Sequence, residues 1–201
     1  MNTDNTVLIV GKGPSLRHVK RGESYEVAAL NTASEFCEHI DYLFINDFIA
    51  YDRQIEGIWD RVDNLILPTF PHGDDCKPDI NKDFTWISKR TPHNVNLWLH
   101  ELQSAPIKNP KDENFGPVAT VGETAVAWLL KRGFRKFVSV GLDPDICAYH
   151  KTFIAKGEKP ASYMDSWHGI ERRLKEKGAT IKRLAIPEDV NIDDDTIKEA
   201  L

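Results

Sequence analysis

The chain has 201 residues, 41% hydrophobic and 28% charged, a length and balance that exclude wholesale disorder and fit one domain with a real core. Its 26 Lys+Arg against 31 Asp+Glu give a net charge of -5, which argues against duplex nucleic acid as a partner. No apolar run approaches the roughly 18 residues of a membrane span, and the polar opening MNTDNT reads as neither a signal nor a transit peptide.

Residues 6–10 (TVLIV) form a short, β-branched, wholly apolar run, the pattern of a parallel strand covered on both faces. Gly11-Lys12-Gly13-Pro14 interrupts it, and Pro14-Ser15-Leu16 is expected to open a short helical segment. Residues 27–30 (VAAL) make a second strand ended by Asn31, and 32–39 a short helix. Residues 42–45 (YLFI) are a third strand ended by Asn46-Asp47. Ile55, Ile58, Trp59 and Val62 recur at helical spacing within 48–62, and 65–67 is a fourth strand stopped by Pro68.

Residues 69–117 are proline-rich and irregular and read as a lid or acceptor loop, with a strand expected at 95–99. Residues 120–132 then form a strong helix, with Thr120 as N-cap, Glu123 completing a capping-box pattern and Gly133 as the stop. A strand at 136–140, a charged helix at 166–177 and a strand at 181–185 follow. Residues 187–201 read as an acidic tail, with Asp193, Asp194 and Asp195 capping a last short helix. This alternation predicts an α/β fold: a Rossmann-like single domain over 1–186, with a mostly parallel sheet, helices on both faces and an irregular region at about 69–117.

In such sheets the ligand lies at the carboxyl ends of the strands, which singles out Gly11–Ser15, Asn31, Asn46-Asp47 and Asp143. The GKGPS loop lacks the spacing of a P-loop and the third glycine of a dinucleotide fingerprint, yet its bare backbone after the first strand suits an anion. The alternative is a tight turn. Two asparagines ending neighbouring strands can each donate and accept toward a base or ribose, or they are ordinary turn residues. His168 can act as a general base near neutrality, or it is a helix-start surface residue. Asp143-Pro144-Asp145 reads as a turn. The histidines show no metal-ligand spacing, His72 and Cys76 lack a second pair, and no metal or cofactor is expected. Cys37, Cys76 and Cys147 are odd in number and far apart, so idle thiols in a reducing cytoplasm are expected.

Four segments together resemble the Rossmann-like bacterial sialyltransferases that use CMP-sialic acid, and their sialyltransferase-like relatives. VLIVGKGPSL at 7–16 looks like the family's first strand and donor loop; Asn31 and the FIND segment at 44–47 match its asparagines after the second and third strands; 120–143 is similar to its T-S-G helix and following strand. SWHGIERRLKEKGATIKRLA at 166–185 resembles the segment holding its catalytic histidine, and His168 falls at that position. Lys12 stands where those enzymes usually carry asparagine, and Val121 where they carry serine before Gly122. The resemblance implies metal-independent transfer of a sugar from a nucleotide donor to a hydroxyl acceptor such as a glycan. His168 would be the base, with donor contacts from Gly11, Lys12, Gly13, Pro14, Ser15, Asn31, Asn46, Asp47, Thr120, Val121, Gly122 and Asp143. The rival expectation is a nucleotide-binding or interaction module without turnover. The sequence leaves donor, acceptor and oligomeric state open.

Overall fold

A computed structural model describes residues 6–68, 84–100, 120–158, 164–187 and 189–201. The expected lid region therefore lies largely outside the described residues, as do His72 and Cys76.

Seven strands form one sheet, and every pairing in it is parallel. They are β1 (Thr6–Val10), β2 (Tyr25–Leu30), β3 (Ile40–Phe44), β4 (Val62–Pro68), β5 (Asn96–His100), β6 (Lys136–Val140) and β7 (Thr180–Arg183), in the spatial order β5-β4-β3-β2-β1-β6-β7. The α/β, Rossmann-like reading of the sequence is the observed architecture. The TVLIV run is buried at all five positions because β1 lies at the interior of the sheet with a core on each face.

The helices among the described residues are α1 (Phe48–Asp52), α2 (Phe84–Ser88), α3 (Val121–Lys131), α4 (Lys151–Ala155), α5 (Met164–Glu176) and α6 (Asp194–Ala200), with 3-10 turns at Asn31–Phe36 and Ile58–Arg61. On one face Val7, Ile9, Ala28 and Phe44 of the strands meet Val126, Leu129 and Leu130 of α3 and Ile170 and Leu174 of α5. On the other, Leu8, Val10, Leu43 and Leu65 meet Ala33, Tyr51, Ile58, Ile87, Phe153 and Ile197 from the shorter helices. Each fully buried aliphatic side chain contributes about 1.5–3 kcal/mol, so the two layers carry the fold.

Two departures from the sequence reading have local causes. The helical spacing across 48–62 does not give one helix: α1 stops at Asp52, Gly57 takes a left-handed φ of 76°, a 3-10 turn follows, and Val62 already belongs to β4. The left-handed residue breaks the helical path, while Ile58 still reaches the core. Pro14-Ser15-Leu16 opens no helix: the chain makes a single turn, with the Leu16 N–H donating to Gly13 O at 3.0 Å, and then runs on to an isolated bridge at Val19.

The acidic C-terminal segment is part of the packed body. Ile192 N–H donates to His18 O and Lys20 N–H to Ile192 O, both at 2.8 Å. Ile192 and Ile197 are fully buried. The last helix forms as expected, with the Asp193 side chain accepting from Thr196 N–H. Cys37 and Cys147 are free thiols; Cys37 is buried and its pKa is pushed up to about 12 by desolvation, which makes it a poor nucleophile. No helix among the described residues is long and apolar enough to cross a membrane.

Candidate functional site

The strand order sets the position of the site. The chain leaves β1 toward β2 and leaves β6 toward β7, in opposite directions across the sheet, so the loops at the carboxyl ends of β1 and β6 part at a topological switch point. Gly11–Ser15 and Gly141–Asp143 meet there and are laced together. Gly11 N–H donates to Val140 O at 2.9 Å and Gly13 N–H to Gly141 O at 2.7 Å. Gly141 N–H donates to the Ser15 hydroxyl and Ser15 N–H to Asp143 Oδ2, each at 2.8 Å. A Cβ on Gly11 would fall 2.4 Å from Gly141 O, and one on Gly13 would fall 2.4 Å from Asp143 Oδ2. This loop-on-loop approach by itself requires glycine at both positions.

Pro14 O, Leu16 O, Ile186 O and Pro187 O all accept from the Arg17 guanidinium, which ties the loop to the chain beyond β7. Lys12 turns away from this lacing. Its Nζ pairs with Glu158 Oε2 and lies 4.7 Å from the centre of the Tyr149 ring, while Thr32 donates to Glu158 Oε1 at 3.3 Å.

Asn31 and Asn46 lie just past the carboxyl ends of β2 and β3. Asn31 has φ 51°, the one positive φ outside glycine among the described residues. Asparagine tolerates that region better than most residues. Asn46 is 4% exposed, and its Nδ2 donates to Thr124 Oγ1 at 3.3 Å. The Oδ1 atoms of both asparagines are buried with no hydrogen-bond partner among the described residues. Each such atom costs about 1–3 kcal/mol, and both lie at the carboxyl edge of the sheet.

The start of α3 meets Asn46 through Thr124. Thr120 caps the helix by accepting from Glu123 N–H at 3.3 Å, and Thr124 Oγ1 donates to Thr120 O at 3.1 Å. Val121 and Gly122 form the first turn. A Cβ on Gly122 would meet nothing nearer than 3.7 Å, with Leu30 of β2 and Ile170 of α5 among its neighbours. Unlike Gly11 and Gly13, Gly122 therefore has no steric reason among the described residues to be glycine. Asp47 is the N-cap residue of α1 and makes no side-chain cap bond.

The structure thus brings Asn46, Thr120, Val121 and Gly122 into one neighbourhood and joins Gly11–Ser15 to Asp143 in another. His168 touches neither set. It lies early in α5 with its side chain 65% exposed, its Nδ1 3.5 Å from Glu171 Oε2. The carboxylates of Asp143 and Asp145 are engaged apart: Asp145 pairs with Arg183 at 2.6 Å, a hydrogen bond that holds its carboxyl below the usual range.

Sequence reasoning missed two features. Glu158, the partner of Lys12, follows α4 in no recognisable pattern. The Glu123 carboxylate, read as part of a capping box, lies 3.9 Å from Arg173 Nη2 with both side chains about 3–4% exposed. A glycine inside the charged helix was the available clue, because a Cβ on Gly169 would lie 2.4 Å from Glu123 Oε1. No family model, curated protein or solved structure matches the chain.

Proposed function

We propose that the chain is a glycosyltransferase-like enzyme that moves a sugar from a nucleotide-activated donor to an acceptor hydroxyl, in the manner of the bacterial sialyltransferases it resembles. The observation that carries this reading is the pair of buried, unpartnered carbonyl oxygens of Asn31 and Asn46 at the carboxyl edge of a parallel sheet. They suit the amino and hydroxyl donors of a nucleoside. Gly122 leaves the first turn of α3 bare for close approach, and N–H groups at a helix start favour a phosphate.

In the reaction the acceptor oxygen forms a bond to the anomeric carbon as the bond from that carbon to the phosphate oxygen breaks. The acceptor proton passes to His168. Its Nδ1 faces Glu171, so Nε2 is the atom offered to the acceptor. Lys12, itself a residue of the donor loop and held by Glu158, can exchange its carboxylate for the leaving phosphate.

A second reading, nucleotide binding without turnover, has its own support. Asp143 occupies the Ser15 N–H and Glu158 occupies Lys12, so two groups suited to phosphate are satisfied within the chain.

Thermal stabilisation by CMP, UMP, ADP and GDP, followed by hydrolysis of the corresponding nucleotide sugars, separates the readings. Stabilisation by one nucleotide, lost in Asn46→Ala, with hydrolysis of its sugar donor is expected. Stabilisation without hydrolysis selects the binding module. No stabilisation by any nucleotide overturns both.

A further inference from the structure

The opposite end of the sheet carries a cluster that the candidate site does not use. His39 precedes β3, Asp41 lies in it and Asp63 lies in β4. Ile40 is level with Val62 and Tyr42 with Asn64, so Asp41 and Asp63 stand side by side on adjacent parallel strands with their side chains on one face. Like charges so placed repel and destabilise a sheet. The His39 Nε2 atom answers both, at 3.5 Å from Asp41 Oδ1 and 3.2 Å from Asp63 Oδ2. Asp41 is held in place because its other oxygen, Oδ2, accepts from Val27 N–H at 2.7 Å.

We propose that His39 Nε2, Asp41 Oδ1 and Asp63 Oδ2 bind a divalent cation of the zinc class. The three donor atoms lie within 4.8 Å of one another. Bonds of about 2.0–2.1 Å in a tetrahedron put neighbouring donors about 3.3 Å apart, which is the spacing of the imidazole nitrogen from each carboxylate here. One imidazole and two carboxylates favour zinc, cobalt or manganese over calcium and magnesium, which take all-oxygen shells. Asp63 is 55% exposed, so water has access to complete the shell. The ion would clip β3 to β4 and relieve the repulsion between the aspartates. A protonated His39 could do the same without a metal, and the experiment separates the two.

The full chain is stripped with chelator and titrated with zinc chloride at pH 7.5 in excess magnesium, by calorimetry, for wild type, His39→Gln and Asp63→Asn. The expected result is that each variant loses one equivalent of zinc, or binds it at least tenfold more weakly. Cobalt should give wild type a visible ligand-field band that both variants lack. Asp63→Asn is nearly isosteric at a half-exposed position, so it keeps the test valid if His39→Gln does not fold. Zinc isotherms that coincide for wild type and the folded variants overturn the site, and so does a wild type that binds no zinc.

Discussion

Gly122 occupies the first turn of a buried helix, where glycine is less favourable than alanine by about 0.5–1 kcal/mol, and an added methyl group meets only ordinary contacts. Gly122→Ala should therefore raise the melting temperature while weakening nucleotide binding by tenfold or more. Calorimetric unfolding and a nucleotide titration on the same protein test both halves. A stabilised variant with unchanged affinity would remove Gly122 from the donor site. His168 makes the opposite kind of forecast. Its side chain is largely exposed, so His168→Asn should leave the melting temperature unchanged. As the acceptor base, its loss should lower turnover by about 10²–10⁴-fold. Full activity in the variant would assign the base elsewhere.

At the scale of elements, the buried pair of Glu123 and Arg173 joins α3 to α5, and Gly169 is the gap that lets the carboxylate in. Glu123→Ala takes the carboxylate from a buried guanidinium and should cost about 3–5 kcal/mol, read from denaturant unfolding. Placing α6 is electrostatic at its start. Asp193 caps the helix by accepting from Thr196, and Asp194 accepts from the Ser24 hydroxyl and from Glu23 N–H and Ser24 N–H; these hydrogen bonds hold both carboxyls below the usual value of 3.8. The unfolded chain then binds more protons than the folded one just below that pH. The contribution is thus complete above the unfolded pKa and is lost as pH falls through the lowered folded values. Acid titration followed by amide exchange should open α6 while the inner strands stay protected.

β1, β2, β3, β4 and β6 were legible because each carries a short apolar run ended by glycine, asparagine or proline, and α3 was legible from Thr120 through Lys131 by its cap and spacing. Helix period misled at 48–62 because Ile58 and Val62 are both core residues yet belong to a 3-10 turn and a strand. At the site, the positions after each strand could be named, but their pairing could not. That Gly13 packs on Asp143, that Lys12 meets Glu158 across 146 residues, and that His39 faces Asp63 depend on which strands are neighbours. Local spacing holds no record of strand order.

For the whole molecule, the C-terminal segment tests how far one core extends. Deleting residues 188–201 removes Ile192 and Ile197, both fully buried, and the cap at Asp193. Two buried isoleucines are worth roughly 3–6 kcal/mol, a large part of the 5–15 kcal/mol that holds a typical domain. The truncated chain should show a much lower denaturant midpoint, or expose enough apolar surface to bind a reporter dye. A midpoint within experimental error of the full chain would make the segment an appendage.

The strand order also governs what happens while the chain is being made. β1 leaves the ribosome before the other described strands, yet one of its two neighbours, β6, begins at residue 136. Until then the TVLIV segment has one side of its backbone unpaired and no alternating polar residues to deter a stranger. A nascent chain stalled before β6 therefore presents an adhesive five-residue edge, of the kind that chaperones hold and aggregates recruit. Synthesis rate across residues 100–136, rather than the stability of the finished protein, should then set the yield of native molecules in a cell.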